Sequence, residues 1–139
     1  TRVTVATGEI EAGRWRFKEL LDKQAAGILQ TDATVCGGIS EWRRIAATAA
    51  SYGVTVSPHA WHDVHVHLAA SAPNAGHVEF MPDDHIVNFR RLIDTQLVAK
   101  NGDLLLPQTP GLGFNFDSAA VRKYGTRAPG GKDLWQVVR

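Results

Sequence analysis

Short runs of β-branched and aliphatic residues alternate along this chain with longer stretches in which apolar residues recur at the period of a helix. Helices placed between short strands are typical of βα units, whose strands lie parallel in one sheet. We therefore predict an α/β fold. The predicted strands cover residues 3–7, 28–30, 54–56 and 77–80, and the predicted helices cover residues 12–24, 40–51 and 63–72.

Apolar spacing also predicts which faces of the first two helices are buried. In the first helix the candidates are Trp15, Leu20 and Leu21. In the second helix, Ser40 is a suitable N-cap residue because its hydroxyl can accept a hydrogen bond from a backbone N–H of the first turn. Four apolar residues of that helix follow the 3.6-residue period of a one-sided helix: Trp42, Ile45, Ala46 and Ala49.

The pattern changes beyond the fourth predicted strand. The turn sequence Asn101-Gly102-Asp103 predicts a hairpin between residues 96–98 and 104–106. Residues 118–124 predict a last short helix, and the tail that follows, from Thr126, is rich in glycine and proline. We expect this tail to pack weakly or against a neighbour.

Length and composition exclude several classes of protein. A chain of 139 residues has room for one core. The net charge is +1 and no basic run exceeds two residues, which argues against nucleic-acid and anionic-membrane binding. No apolar run approaches the roughly 18 residues that span a bilayer. The single cysteine, Cys36, cannot form an intramolecular disulfide, which favours a reducing compartment such as the cytoplasm.

Four residues with acid–base side chains follow the predicted strands: Glu9, Asp32, His59 and Glu79. In a parallel barrel the ends of successive strands lie on one rim, where the loops that follow them build the active site. Taken singly, each residue has an ordinary alternative as a loop, capping or half-buried side chain. Together they predict proton transfer, with a histidine oriented by an aspartate and carboxylates able to bind a cation.

These residues stand in sequence contexts that resemble the enolase superfamily, and within it the sugar-acid dehydratases of the mandelate racemase subgroup. The resemblance runs from about Val3 to Tyr124. Five segments carry it, in this order: Gly8-Glu9, Thr31-Asp32-Ala33 leading to Gly37-Gly38, Ser57-Pro58-His59, Val78-Glu79 and Pro110-Gly111-Leu112-Gly113.

The resemblance implies a role for each residue. Glu9 corresponds to the last of three carboxylate ligands of an essential magnesium ion. Asp32 and His59 correspond to an Asp–His dyad in which the aspartate fixes the tautomer of the imidazole. Glu79 corresponds to the acid that hydrogen-bonds the substrate carboxylate, and Trp61 is expected to wall the substrate pocket. The implied reaction is abstraction of the α-proton of a sugar acid, followed by loss of water to give a 2-keto-3-deoxy acid.

The resemblance also implies parts that this chain does not contain. Family members have two earlier metal carboxylates, a base that often lies in a Lys-x-Lys motif, and an N-terminal capping domain. Residues 1–94 are therefore expected to form the C-terminal βα units of a TIM-like (β/α)-barrel. Residues 95–139 would form a hairpin, loop and tail that return toward the capping domain. We expect an N-terminal portion of the same enzyme as partner, a homo-oligomer, and no activity from the isolated chain.

Three alternatives remain open at this point. On the same scaffold, a racemase or epimerase of a 2-hydroxy acid uses the same proton abstraction without loss of water. The segment His62-Asp63-Val64-His65-Val66-His67 resembles the metal-binding start of amidohydrolases, in which two histidines bind a divalent metal. The chain could also be a non-catalytic fragment. Cys36, which has no histidine near it in sequence, is expected to be a small packing residue and not a nucleophile.

Overall fold

Three two-residue strands form a parallel sheet in the computed structural model, which describes residues 2–82 and 88–125. The strands are β1 (Ala6–Thr7), β2 (Ile28–Leu29) and β3 (Thr55–Val56), and they lie side by side in chain order. Ala6 pairs with Ile28, which in turn pairs with Thr55. Parallel neighbours in unbroken chain order match a barrel wall, whereas a doubly wound sheet reverses its order at a switch point.

One helix follows each strand of the sheet. These helices are α1 (Arg14–Asp22), α2 (Ile39–Ser51) and α3 (His62–Ala70). All three predicted helices are therefore confirmed, although α1 is shorter at both ends. The predicted cap of α2 is wrong: Gly38 occupies the N-cap position and makes no side-chain hydrogen bond. Gly38 enters the helix with φ of 92°, in a region that side chains disfavour, so the chain turns before Ser40 is reached.

The core lies between the sheet and the first two helices. The predicted apolar face of α2 is confirmed, since Trp42, Ile45, Ala46 and Ala49 are all buried. The predicted face of α1 is partly wrong, because Trp15 is 73% exposed while Phe17 is fully buried. The other apolar residues of this core cluster are Leu21, Ala26, Leu29, Ala33, Cys36, Val56 and Leu68.

The predicted fourth strand at 77–80 is wrong. The chain pairs with β3 slightly earlier, where Ala75 forms a single parallel bridge to Val56 and the Gly76 N–H donates to the Val56 carbonyl over 2.8 Å. A Cβ atom on Gly76 would lie 2.7 Å from both Ser57 Oγ and Thr55 Cγ2, so a larger residue here would require those side chains to shift. Within the described residues, segment 77–80 has no ladder partner and no regular secondary structure.

The C-terminal part folds around a small hairpin. Its strands are β4 (Ala99–Lys100) and β5 (Asp103–Leu104), closer to the turn than predicted. Asn101 and Gly102 both have positive φ, 54° and 90°, as a type I′ turn requires. A 3₁₀ helix (Asn88–Leu92) precedes the hairpin, and the predicted last helix is confirmed as α4 (Ser118–Tyr124). The predicted weakly packed tail from Thr126 lies outside the described residues.

No helix in the described ranges is both long enough and apolar enough to cross a membrane.

Candidate active site

The loops after β2 and β3 bring Asp32 and His59 into direct contact. His59 Nδ1 lies 3.0 Å from Asp32 Oδ2. Because a carboxylate only accepts hydrogen bonds, Nδ1 carries the proton of this pair. The other ring nitrogen, Nε2, then carries an unprotonated lone pair, with which it can accept a proton and later return it. The His59 side chain is 31% exposed, so part of the ring reaches the surface.

Asp32 is held rigidly beneath the imidazole. Its side chain is only 2% exposed. Oδ1 accepts hydrogen bonds from the Thr34 backbone N–H over 2.7 Å and from the Thr34 hydroxyl over 2.8 Å. These two bonds, made at the oxygen that does not face His59, fix the plane of the carboxylate. The turn after β2 thus leaves Oδ2 for the imidazole, as an orienting carboxylate requires.

Glu9 lies on the other side of the imidazole. It follows β1 directly, after Gly8, and its Oε2 lies 3.8 Å from His59 Nε2. That distance is too long for a hydrogen bond but close enough for electrostatic attraction to a protonated ring. The Glu9 side chain is 51% exposed. Its carboxylate is therefore available to a cation or to a reactant.

Glu79 reaches the same rim from segment 77–80. Its Oε2 accepts a hydrogen bond from the Ala60 backbone N–H over 2.7 Å, and Ala60 directly follows His59. Ala60 and Trp61 both have left-handed backbones, with φ of 47° and 39°. Such conformations cost about 1–3 kcal/mol per residue and cluster at functional sites. Here the unusual turn aims the Ala60 N–H at the carboxylate.

Trp61 is the N-cap residue of α3, two positions after His59. It is half-buried and meets the ring of Phe89 edge-on, with centroids 5.5 Å apart. Phe89 in turn makes edge contacts with Phe114 and Phe116, at 5.4 and 6.0 Å. These rings join the loop after β3 to the C-terminal segment. Contact between Trp61 and a substrate remains a prediction.

A buried histidine connects two of these loops, a feature that sequence reasoning missed. His65 of α3 has no exposed surface. Its Nε2 accepts a hydrogen bond from the Ala33 N–H over 2.9 Å, and its Nδ1 donates to the Ala60 carbonyl over 2.8 Å. Burial lowers the pKa of His65, which keeps the ring neutral. The sequence signal was its place on the buried face of α3, but its partners are 32 and 5 residues away.

The amidohydrolase-like segment does not form a metal centre. Its residues lie on helix α3, not at the end of a strand, and the ring nitrogens of His65 are occupied by backbone groups. His62 is buried against Phe80, with ring centroids 4.8 Å apart, and its Nε2 lies 3.3 Å from Asp63 Oδ2. Across the described residues no group of three or more potential ligands is close enough to hold a metal ion.

Cys36 behaves as a packing residue. It is 1% exposed within the core. Burial, with smaller contributions from the charges of Asp32 and Glu41, raises the pKa of its thiol to about 11. A thiol with so high a pKa is a poor nucleophile near neutral pH. The structure agrees with the sequence prediction for this residue.

A family model described as enolase C-terminal domain-like matches residues 1–120 of the chain. The chain belongs to the enolase superfamily. It is 33% identical over 135 residues to D-galactarolactone cycloisomerase of Agrobacterium fabrum, a match that covers 88% of this chain and 35% of that protein. It is 33% identical over 118 residues to L-rhamnonate dehydratase of Saccharopolyspora erythraea, covering 81% of this chain and 30% of the relative.

Solved structures agree with this superfamily assignment. The structure of L-talarate/galactarate dehydratase from Salmonella typhimurium, liganded with Mg and L-lyxarohydroxamate, superposes with a TM-score of 0.77 and 30% identity. The match covers 87% of this chain and 30% of that one. The chain thus spans about a third of the length of these relatives. Within the superfamily, the βα units described above are part of a (β/α)-barrel.

Proposed function

We propose that the complete protein containing this chain dehydrates a sugar acid, an aldonate or aldarate, to a 2-keto-3-deoxy acid. The chain would supply the C-terminal βα units of the barrel, and an N-terminal portion would supply the remaining catalytic groups. The names of the relatives support sugar-acid chemistry, and two of those named above are dehydratases. Assembly as a homo-oligomer and a cytoplasmic location belong to the same proposal.

The His59–Asp32 pair is the observation that carries this proposal. Its 3.0 Å bond places the only proton of a neutral imidazole on Nδ1. Nε2 is left as the acid–base atom, near the solvent and 3.8 Å from Glu9. A positioned imidazole of this kind contributes about 10²–10⁴ to a rate when it transfers a proton in the transition state.

Dehydration requires one proton to leave carbon and another to reach the departing hydroxyl. A base outside this chain would take the α-proton. The electrons of the broken C–H bond would move toward the carboxylate, which converts the substrate into an enediolate. The enediolate then re-forms the carboxylate as the C–O bond at the β-carbon breaks. Protonated His59 would give its Nε2 proton to the leaving oxygen, which departs as water. The resulting enol takes up a proton and becomes the 2-keto-3-deoxy acid.

Glu79 would stabilise the negative charge that develops on the substrate carboxylate. Its Oε2 already accepts the Ala60 N–H over 2.7 Å. A proton on the other oxygen could then be donated to the enediolate. Donors placed where negative charge develops typically contribute about 10²–10³ to a rate.

Glu9 fits one position in a magnesium site. It offers a half-exposed carboxylate, and oxygen ligands are the ones that magnesium prefers. The described residues form no complete metal cluster, so any further protein ligands would come from outside them. Magnesium, when bound, would supply positive charge to the substrate carboxylate and so favour loss of the α-proton.

The test is a product assay by ¹H NMR in deuterated water, with magnesium and a panel of aldonates and aldarates. The complete protein is expected to form a 2-keto-3-deoxy acid from at least one of them. The variant His59→Asn should lose this activity, whereas His67→Asn, on the far side of α3 from the dyad contacts, should retain it. Exchange of the α-proton for deuterium without keto acid would reject dehydration in favour of racemisation or epimerisation. No exchange and no product across the panel would reject both.

A further inference from the structure

His65 makes hydrogen bonds to two loops of the site. It lies fully buried on α3. One of its ring nitrogens contacts Ala33, the residue after Asp32, and the other contacts Ala60, the residue after His59. Each member of the dyad is therefore one peptide away from a hydrogen bond to the same imidazole.

The directions of these bonds define the tautomer of His65. A backbone N–H can only donate, so Nε2 accepts from Ala33 and Nδ1 carries the proton that goes to the Ala60 carbonyl. Nε2 also lies 3.6 Å from Asp32 Oδ1. This approach is not an ion pair, because Nε2 has no proton and Oδ1 already accepts two bonds from Thr34.

Ala60 links His65 to Glu79 through its two backbone polar groups. Its carbonyl accepts from His65, while the N–H of the same residue donates to Glu79 over 2.7 Å. Ala60 holds a left-handed φ of 47°, which needs surrounding contacts to maintain it. The bond from His65 is one such contact, so it bears on the positions of both His59 and Glu79.

We infer that His65 is a positioning residue: its neutral imidazole spans the loops after β2 and β3 and sets the spacing that allows the 3.0 Å His59–Asp32 bond. It touches no reacting atom and acts through Ala33 and Ala60. The kinetic consequence rests on the proposed function, whereas the geometric consequence does not.

The experiment compares three substitutions in the complete protein. His65→Gln can keep an acceptor near the Nε2 position, His65→Asn can keep a donor near the Nδ1 position, and His65→Leu removes both while filling most of the space. His67→Asn is the matched control, because His67 lies on the same helix and contacts only the Leu112 carbonyl among the hydrogen bonds described. The first readout is the ¹⁵N spectrum of selectively labelled histidine, which reports the tautomer of His59 without any substrate.

The wild type and His67→Asn are expected to show His59 protonated at Nδ1. His65→Leu should shift the His59 signals toward the mixture of tautomers found in water, and His65→Gln and His65→Asn should give intermediate shifts. If the proposed reaction is found, kcat should fall about tenfold to a hundredfold in His65→Leu, with KM within about threefold. If His65→Leu does not fold, the two amide variants decide the question by the same readouts.

Unchanged His59 signals in every folded His65 variant would overturn the inference. An altered His59 tautomer without turnover of any sugar acid would support the inference and count against the proposed function. Turnover that is unaffected by the His65 substitutions, together with an unaltered His59 tautomer, would support the proposed function and reject the inference about His65. The two proposals can therefore fail separately.

Discussion

The backbone N–H of Ala60 lies 2.7 Å from Oε2 of Glu79, although the two residues are separated by 19 positions. The bond joins the loop after β3 to segment 77–80, which has no ladder partner among the residues described. It occupies one acceptor site of Oε2 on the Glu79 carboxylate. Action of the other carboxylate oxygen on a substrate remains part of the proposed function.

This arrangement predicts different effects for two substitutions of Glu79. In Glu79→Gln the amide oxygen can still accept from Ala60 while the amide N–H replaces a carboxylic acid donor. Turnover should fall about tenfold in Glu79→Gln and about 10²–10³-fold in Glu79→Ala. Glu79→Ala should also lose about 1 kcal/mol of unfolding free energy with the hydrogen bond. Steady-state kinetics and urea unfolding provide the measurements. Equal losses of turnover would argue for proton transfer by Glu79 and against the donor role.

Asp32→Asn tests the dyad with little change of shape. The Asn oxygen can still accept both bonds from Thr34, but its amide N–H would face His59 Nδ1 and force the ring proton onto Nε2. We expect kcat to fall about 10²–10⁴-fold while thermal stability changes little. The ¹⁵N shifts of His59 should report the exchanged tautomer. A variant with the wild-type tautomer and wild-type kcat would contradict the orientation role of Asp32.

Removal of the Glu9 charge should weaken magnesium binding by the complete protein. We expect Glu9→Gln to raise the Kd for magnesium about tenfold or more, because ligand charge strongly affects the affinity for hard cations. Glu11→Gln is the matched control, since Glu11 pairs with Arg16 at 3.3 Å, two residues further along the chain. Isothermal titration calorimetry measures both. Equal affinities in the wild type and Glu9→Gln would remove Glu9 from the metal site.

Two buried histidines predict acid sensitivity. Burial is the main cause that lowers the pKa of both His62 and His65 from 6.5. The folded protein therefore resists protonating them, while the unfolded chain binds these protons below about pH 6.5. The contribution of these two histidines to the free energy of unfolding is complete above about pH 6.5. It is lost as the pH falls from 6.5 toward the lower pKa values that His62 and His65 have in the folded protein. The slope should reach about 1.4 kcal/mol per pH unit for each histidine.

Urea unfolding between pH 7 and pH 5 measures this slope. His65→Gln should lower stability at pH 7 but reduce the slope, because glutamine does not titrate. The carboxylates with lowered pKa, such as Glu41 and Asp94, lose their contributions only near and below their ordinary pKa values of 4.5 and 3.8. Stability that stays constant from pH 7 to pH 5 would show that neither histidine is protected from protonation.

The site was predictable because parallel βα units repeat a simple geometry. Glu9, Asp32 and His59 each follow a strand, and strands in chain order bring such residues to one rim. Approximate strand positions are enough to place such residues on one rim, and errors of a few residues in the strand ends do not change that placement. The structure accordingly joins these three side chains, although their roles stay predictions. The role of His65 could not be predicted, because it depends on backbone groups that only tertiary packing brings to the ring.

Two of the predictions that were wrong, the strand at 77–80 and the burial of Trp15, also have local causes. Segment 77–80 has strand-like composition, but pairing with β3 ends at Gly76, and the residues beyond it are used to place Glu79. In α1, both Trp15 and Phe17 are apolar, and a helix of nine residues is too short for periodicity to decide which of them faces inward. Contact decides it: a Cβ atom on Gly8 would lie 2.7 Å from Phe17 Cε1, so this glycine makes room for the phenylalanine ring.

The orientation of α1 gives a last prediction, which compares Phe17→Ala with Trp15→Ala. Phe17 is fully buried, so its truncation should cost about 3–5 kcal/mol of unfolding free energy through lost burial and a cavity. Trp15 is 73% exposed, and its main contact is with the Arg14 guanidinium, 6.0 Å from the ring centroid. An exposed cation–π contact contributes about 0.5–1 kcal/mol, so Trp15→Ala should cost no more than that. Urea unfolding of the complete protein measures both, and a loss near 3 kcal/mol in Trp15→Ala would mean that another part of the assembly covers this ring.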